Sequence, residues 1–221
     1  MKKRRAYTKT AKSFWNKEYT KGGHLALSQK HSEDLERFMR WLPRQKDADW
    51  YGPIETMLDI GCGNGRNLVY LAETYGLTGT GFDISEEAIR TAEHTAEEKN
   101  LALSYLVHSI EDPLPLPDQS VMLVLDMMTS HFLNAEGRAR LRKEIARVLK
   151  TGGWLFYKTF LLDDDLNAKK LLHEYPTEEP GSYLHPKIGK PEHVSTEHEV
   201  KETLGEYFDV RRTTKSFKHR T

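Results

Sequence analysis

The sequence predicts an α/β fold built on a doubly wound, mostly parallel sheet, and three observations carry that expectation. From residue 55 to residue 160, short apolar runs alternate with amphipathic helical stretches. Alternation of this kind buries a parallel sheet between helices on both faces. The turn Gly61-Cys62-Gly63-Asn64-Gly65 joins the first run to the first of these helices, and the acid Asp83 closes the second run.

The elements follow in order. Residues 1–12 read as a basic, solvated tail, and residues 13–53 as a helical lid ahead of the main domain, 54–221. Within the lid, Phe14, Trp15 and Tyr19 sit on a short helix stopped by Gly22-Gly23. A second helix begins after Ser32, with Leu35, Phe38, Met39 and Leu42 on one face, and Pro43 ends it. Met57–Ile60, Thr78–Phe82, Leu103–Val107, Val121–Leu125 and Trp154–Thr159 are the expected strands. Between them lie helices over Asn67–Thr74 and Glu86–Lys99, the latter capped by Ser85, and a third capped by Asn134. The third helix buries Leu141, Ile145, Val148 and Leu149, and Gly152-Gly153 turns the chain into the fifth strand. Residues 161–194 break the rhythm with four prolines and read as a long functional connection on the substrate side. Thr196 and Glu199 form a capping box for a last helix, and Tyr207–Thr213 reads as a final strand, for six or seven strands in all.

Composition narrows the function. No run of 18 apolar residues exists, so no membrane span is expected, and the N-terminus lacks an apolar signal region. The lone cysteine, Cys62, allows no disulfide framework and suits a reducing, cytoplasmic setting. The overall charge is balanced, but residues 1–12 carry six bases and residues 211–221 carry five, without acids. The body between them holds 22 bases against 33 acids, so a nucleic-acid partner would have to be held by the ends. His185, His193 and His198 lack cysteine partners and regular spacing, so no metal site is expected.

The chemistry concentrates in two segments. Glycines at alternate positions between a strand and a helix allow a sharp turn and let a ligand approach the backbone. The free N–H groups of the following helix make that spot polar. Asp83, at the end of the next strand, is placed to accept hydrogen bonds from the two hydroxyls of a ribose. Dinucleotide sites share the glycine pattern, so the loop alone does not choose the cofactor.

Met57–Arg66 taken with Thr80–Ser85 resembles the first two motifs of class I S-adenosylmethionine (SAM)-dependent methyltransferases. Gly61-Cys62-Gly63-Asn64-Gly65-Arg66-Asn67 followed by Tyr70-Leu71-Ala72 is also similar to methyltransferases of the tellurite-resistance and small-thiol type. The resemblance implies SAM as cofactor. It implies that Gly61, Cys62, Gly63 and Gly65 lie against its methionine part and that Asp59 orients the amino group. Asp83 would then bind the ribose, Ile84 and Ile110 would pack on the adenine, and Ser109 stands where such families often carry an Asp. Asp126 and Met127 would line the methionine side. The same fold normally ends with an antiparallel strand beside the fifth, and the eight residues after Thr213 barely allow one, so that strand is expected short or missing.

A sulfonium methyl is already a strong electrophile, so the protein chiefly aligns the acceptor and excludes water. The chain lacks the Pro-Pro motif of base-amine methylation, having Asp126-Met127-Met128-Thr129, and a catalytic cysteine for base-carbon methylation is also missing. A small-molecule acceptor is therefore expected, with His131 and Lys158 as the residues beside it and Tyr157 and Tyr183 behind them. Two alternatives stand next to it. One is an RNA ribose 2′-O-methyltransferase using Asp126 and Lys158, and the other is a SAM-binding sensor without catalysis.

Overall fold

The computed structural model describes residues 2–21, 28–45, 56–163 and 165–216, the side chains of residues 2–10 excepted. Five parallel strands form the sheet, in the order β3-β2-β1-β4-β5. They are β1 (Met57–Ile60), β2 (Gly79–Asp83), β3 (Leu103–Val107), β4 (Val121–Met127) and β5 (Leu149–Lys158). The first is central: Met57–Ile60 pairs with Gly79–Phe82 on one side and Leu123–Asp126 on the other. The chain order reverses at β1, so the connections leaving the C-terminal ends of β1 and β4 run to opposite sides and leave a crevice beyond them.

Helices α3 (Arg66–Tyr75), α4 (Glu86–Glu98) and α5 (Ala135–Val148) return the chain between strands. Each starts where its sequence says it should. Ser85 Oγ accepts from Ala88 N at 3.2 Å, and Asn134 Oδ1 accepts from Gly137 N at 2.8 Å. Two apolar layers result. Leu68, Leu71, Ile89 and Tyr105 pack one face, and Leu58, Ile60, Phe82, Leu141 and Ile145 pack the other.

The N-terminal region differs from the expected tail plus lid. Helix α1 runs unbroken over Lys2–Lys21, so the boundary expected at residue 12 falls inside it. It docks on α4 through polar contacts: Asn16 Oδ1 accepts from Ser85 Oγ at 2.8 Å, at the N-terminus of α4, and Lys12 pairs with Glu86. Gly22 and Gly23, expected to stop this helix, lie outside the described residues. Helix α2 (Glu33–Trp41) lays Leu35 and Met39 on the sheet and stacks Phe38 on Phe156 of β5.

Three expectations about the second half are corrected. Residues 161–194 are not a structureless connection: they form α6 (Leu166–Glu174) and an antiparallel hairpin of β6 (Ser182–Leu184) and β7 (Pro191–His193). The strand expected over Tyr207–Thr213 does not form. Phe208 packs into the core, while Tyr207, Asp209, Arg211 and Arg212 stay exposed with no strand edge to pair with, so the sheet has five strands among the described residues. Strand β5 starts earlier than expected, at Leu149, and passes through an irregularity at Gly152, whose φ of +80° suits glycine. The last helix, α7 (Glu197–Gly205), keeps half of its capping box. Thr196 Oγ1 accepts from Glu199 N at 3.1 Å, but the Glu199 carboxylate turns to His193 Nε2, 2.8 Å away.

Candidate active site

A cleft of about 370 Å³ opens at the C-terminal ends of β1, β2 and β4, within the size range of small-ligand sites. The glycine turn forms its floor at one end. Gly61 and Gly63 adopt φ of +67° and +56°, a region that side chains avoid. A Cβ on Gly63 would lie 2.3 Å from Tyr19 Oη, and one on Gly61 would meet Thr129 at the same distance. Gly65 is different. It does not line the cleft, and a Cβ there would strike Tyr105 Oη at 2.6 Å and Ala92 at 2.9 Å. A glycine there lets α3 start close against β3 and α4.

Asp83 stands at the rim of this floor. One carboxylate oxygen accepts from Gly63 N at 3.0 Å and the other from Ser85 N at 2.8 Å, so the acid braces the turn while lining the cleft. Burial lifts its pKa to about 6, against the pull of these N–H donors. Asp59 is fully buried, and burial together with the nearby Asp83 charge raises its pKa to about 8. Burial likewise pushes the Cys62 thiol up, so it packs as a small apolar group. Ile84, Ser109 and Ile110 line the neighbouring wall. His108, which sequence reasoning missed, lines it as well.

Two buried polar atoms on this side have no partner among the described residues: Asp59 Oδ2 and His108 Nε2. Such orphans are costly unless a ligand satisfies them. The donor set fits SAM. A carboxylate oxygen free beside the glycine turn suits an ammonium group, Asp83 suits ribose hydroxyls, and Ile84 with Ile110 offers an apolar slot for a purine.

The other end of the cleft is aromatic. Trp15 of α1 packs edge-on against Phe132, with centroids 5.2 Å apart, and His131 lies 5.1 Å from Phe160. His131 belongs to a short 3-10 turn, Ser130–Phe132, and its Nδ1 has no partner among the described residues. Burial drops its pKa to about 3, with Arg138 and His193 adding to the effect, so the imidazole is neutral. Met127 and Lys158 line the cleft, and the Lys158 ammonium is held by Asp34 of α2 at 2.5 Å.

Asp126 does not reach the cleft. Its carboxylate accepts from Ser130 N at 3.2 Å, with Arg138 and Tyr157 as neighbours, away from the wall where it was expected. Successive side chains on a strand face opposite ways, and here Met127 takes the cleft side. The Asp126–Lys158 pair needed for ribose 2′-O chemistry is therefore not assembled. Tyr157 and Tyr183 also stay off the cleft wall. Tyr183 instead donates to Glu192 Oε2 at 2.6 Å, and Glu192, unmarked in the sequence, does line it. His193 is locked between Ser182 Oγ and Glu199, while His198 is exposed on α7.

The comparisons agree with this geometry. Residues 57–153 match the family model described as a methyltransferase domain. Human EEF1A lysine methyltransferase 2 is 30% identical over 177 residues, covering 73% of this chain and 70% of that protein. A fatty-acid O-methyltransferase of Mycolicibacterium smegmatis is 28% identical over 152 residues, 65% of this chain and 51% of its own length. A crystal structure of a SAM-dependent methyltransferase from Methanosarcina mazei superposes with a TM-score of 0.61 at 31% identity, over 70% of this chain and 79% of that one. Several curated relatives are longer proteins, of whose length the chain spans only 34% to 51%. With the glycine turn, Asp83 and the strand order, these matches show that the chain belongs to the class I SAM-dependent methyltransferases.

Proposed function

We propose that the protein transfers the methyl group of SAM to a small-molecule acceptor held at the aromatic end of the cleft. The observation that carries this reading is the single cleft running from Asp59 and Asp83 to His131 and Phe160, with Trp15 and Tyr19 of α1 along one side. A site of that shape holds two small ligands in line and shields them from water. Relatives that act on fatty acids, on glycine, sarcosine and dimethylglycine, and in ubiquinone biosynthesis support an acceptor of small size. The acidic body opposes a polyanionic acceptor.

When bound, SAM supplies an electrophilic methyl on sulfur. This chain's own residues do the rest. Asp83 accepts the ribose hydroxyls, Asp59 accepts the ammonium group, and Gly63 leaves the backbone bare for close approach. His131, held neutral, offers a nitrogen for a hydrogen bond to the acceptor rather than a charge. The test is turnover of SAM to S-adenosylhomocysteine over a panel of small thiols, amines, carboxylates and phenols, with short RNA as a further arm. Turnover with a small acceptor is expected. Turnover confined to RNA would overturn the reading, and cofactor binding without turnover on any acceptor would favour a sensor.

A further inference from the structure

We infer that the acceptor is an amine, and that Glu192 is the residue that receives its nitrogen. This rests on the small-acceptor reading above and names the class of substrate. Glu192 stands on β7, which the hairpin brings against the Ser130–Phe132 turn. It is 5% exposed and lines the cleft at the aromatic end. Tyr183 Oη donates to one of its oxygens at 2.6 Å across the β6–β7 pair, which fixes the side chain in place.

The charges around it single it out. The other acids lining the cleft are at the cofactor end: Asp59 within β1, Asp83 closing β2, and Glu111 after β3. Lys158 is already matched by Asp34, and His131 carries no charge. A carboxylate among Trp15, Phe132 and Phe160 is a poor host for an anionic acceptor and a good one for a nitrogen cation, which ring faces also attract. Burial holds the Glu192 carboxyl above its ordinary range, with Tyr183 pulling the other way, so it is a stronger base than an exposed glutamate.

The step balances. The bound ammonium first gives one proton to the Glu192 carboxylate, which frees the nitrogen lone pair. That lone pair bonds the methyl carbon as the carbon–sulfur bond breaks, and the bond's electrons stay on sulfur to give neutral S-adenosylhomocysteine. The positive charge now rests on the methylated nitrogen, which leaves as an N-methylammonium, and the Glu192 carboxyl returns its proton to water.

The experiment uses matched probes: benzylamine, benzyl alcohol and benzoate, then butylamine, butanol and butyrate. Binding to the full chain loaded with S-adenosylhomocysteine is measured by calorimetry, and methylation by mass spectrometry. The amine of each set should bind best and be the one methylated. E192Q keeps the shape and an acceptor for Tyr183, and should weaken amine binding about 30-fold. S-adenosylhomocysteine affinity should stay within about twofold, since Glu192 lies at the far end of the cleft. No amine binding, better binding of alcohol or acid by the wild type, or an amine preference surviving in E192Q would each overturn the inference. Methylation of alcohols or acids alone would overturn it while leaving the small-acceptor reading intact. Amine binding through Glu192 without methylation of any probe would support the amine site and count against methyl transfer.

Discussion

The two ends of the cleft are built in opposite ways. The cofactor end comes mainly from two short segments, Leu58–Arg66 and Gly79–Ser85, each a strand, a turn and a helix start, with His108, Ser109 and Ile110 closing one wall. The acceptor end is assembled from Trp15, His131 with Phe132, Phe160 and Glu192, residues scattered over most of the chain. A site made of local backbone geometry leaves a motif in the sequence. A site made of side chains meeting from four distant places leaves none. The same contrast predicts which substitutions harm the fold, which harm cofactor binding and which harm only the acceptor.

The largest effect should separate two glycines of one loop. Gly65→Ala forces an L side chain into φ +75° and drives its Cβ into Tyr105 and Ala92, and should cost about 2–5 kcal/mol of stability in denaturant titration. Gly63→Ala meets only the end of Tyr19, which can swing aside, so it should lose less stability but more S-adenosylhomocysteine affinity. Equal losses in both assays would break the distinction between packing and cradle.

Next in size is Asp83→Ala. It removes the expected ribose acceptor and releases Gly63 N and Ser85 N, and should weaken S-adenosylhomocysteine binding by about 1.5–3 kcal/mol in calorimetry. Unchanged affinity would show that the carboxylate only braces the turn.

His131→Gln probes the other end. With its pKa near 3 the imidazole is too weak a base to drive proton removal, so its loss should lower acceptor kcat/KM only about tenfold, the scale of one hydrogen bond. Cofactor affinity should not move.

The smallest effect is a pH dependence. Asp59 titrates near 8 in the folded protein, and an ammonium group beside it favours the charged form. S-adenosylhomocysteine affinity should therefore rise from about pH 6 and level off above about pH 8, and D59N should flatten that rise. The sign reverses for the ligand-free fold. A carboxyl whose pKa is raised on folding favours the folded state most below its unfolded pKa. That support is lost as pH climbs to about 8. D59N should thus gain melting temperature over wild type above about pH 8.

Legibility in the sequence follows the same division. Ser85, Asn134 and Thr196 mark their helix starts because a cap is a contact between near neighbours. The strands β1 to β4 are legible as apolar runs, and Asp83 as the acid that ends one. Tyr207–Thr213 has the composition of a strand, but a strand exists only beside a partner, and none is there among the described residues. Asp126 ends the right strand and faces the wrong way, because a difference of one residue on a pleated strand decides the face. Gly65 shows that a glycine can be required by a tyrosine from β3 as firmly as by a ligand. Glu192 lies in a segment whose fold depends on pairing Ser182 with His193 across ten intervening residues, and no local pattern announces it.

Trp15 and Tyr19 are separated by one helical turn on α1, and they touch opposite ends of the cleft. Side chains four apart on a rigid helix move together. Any displacement of α1 that admits the cofactor past Tyr19 therefore also withdraws Trp15 from the acceptor wall. The two ligands are then thermodynamically linked through one body. Whichever binds first and draws the helix down has already met the cost of ordering it for the second, and each should raise the affinity of the other by the same factor. A helix at the start of the chain, far from the glycine turn in sequence, would in this way make two binding events behave as one.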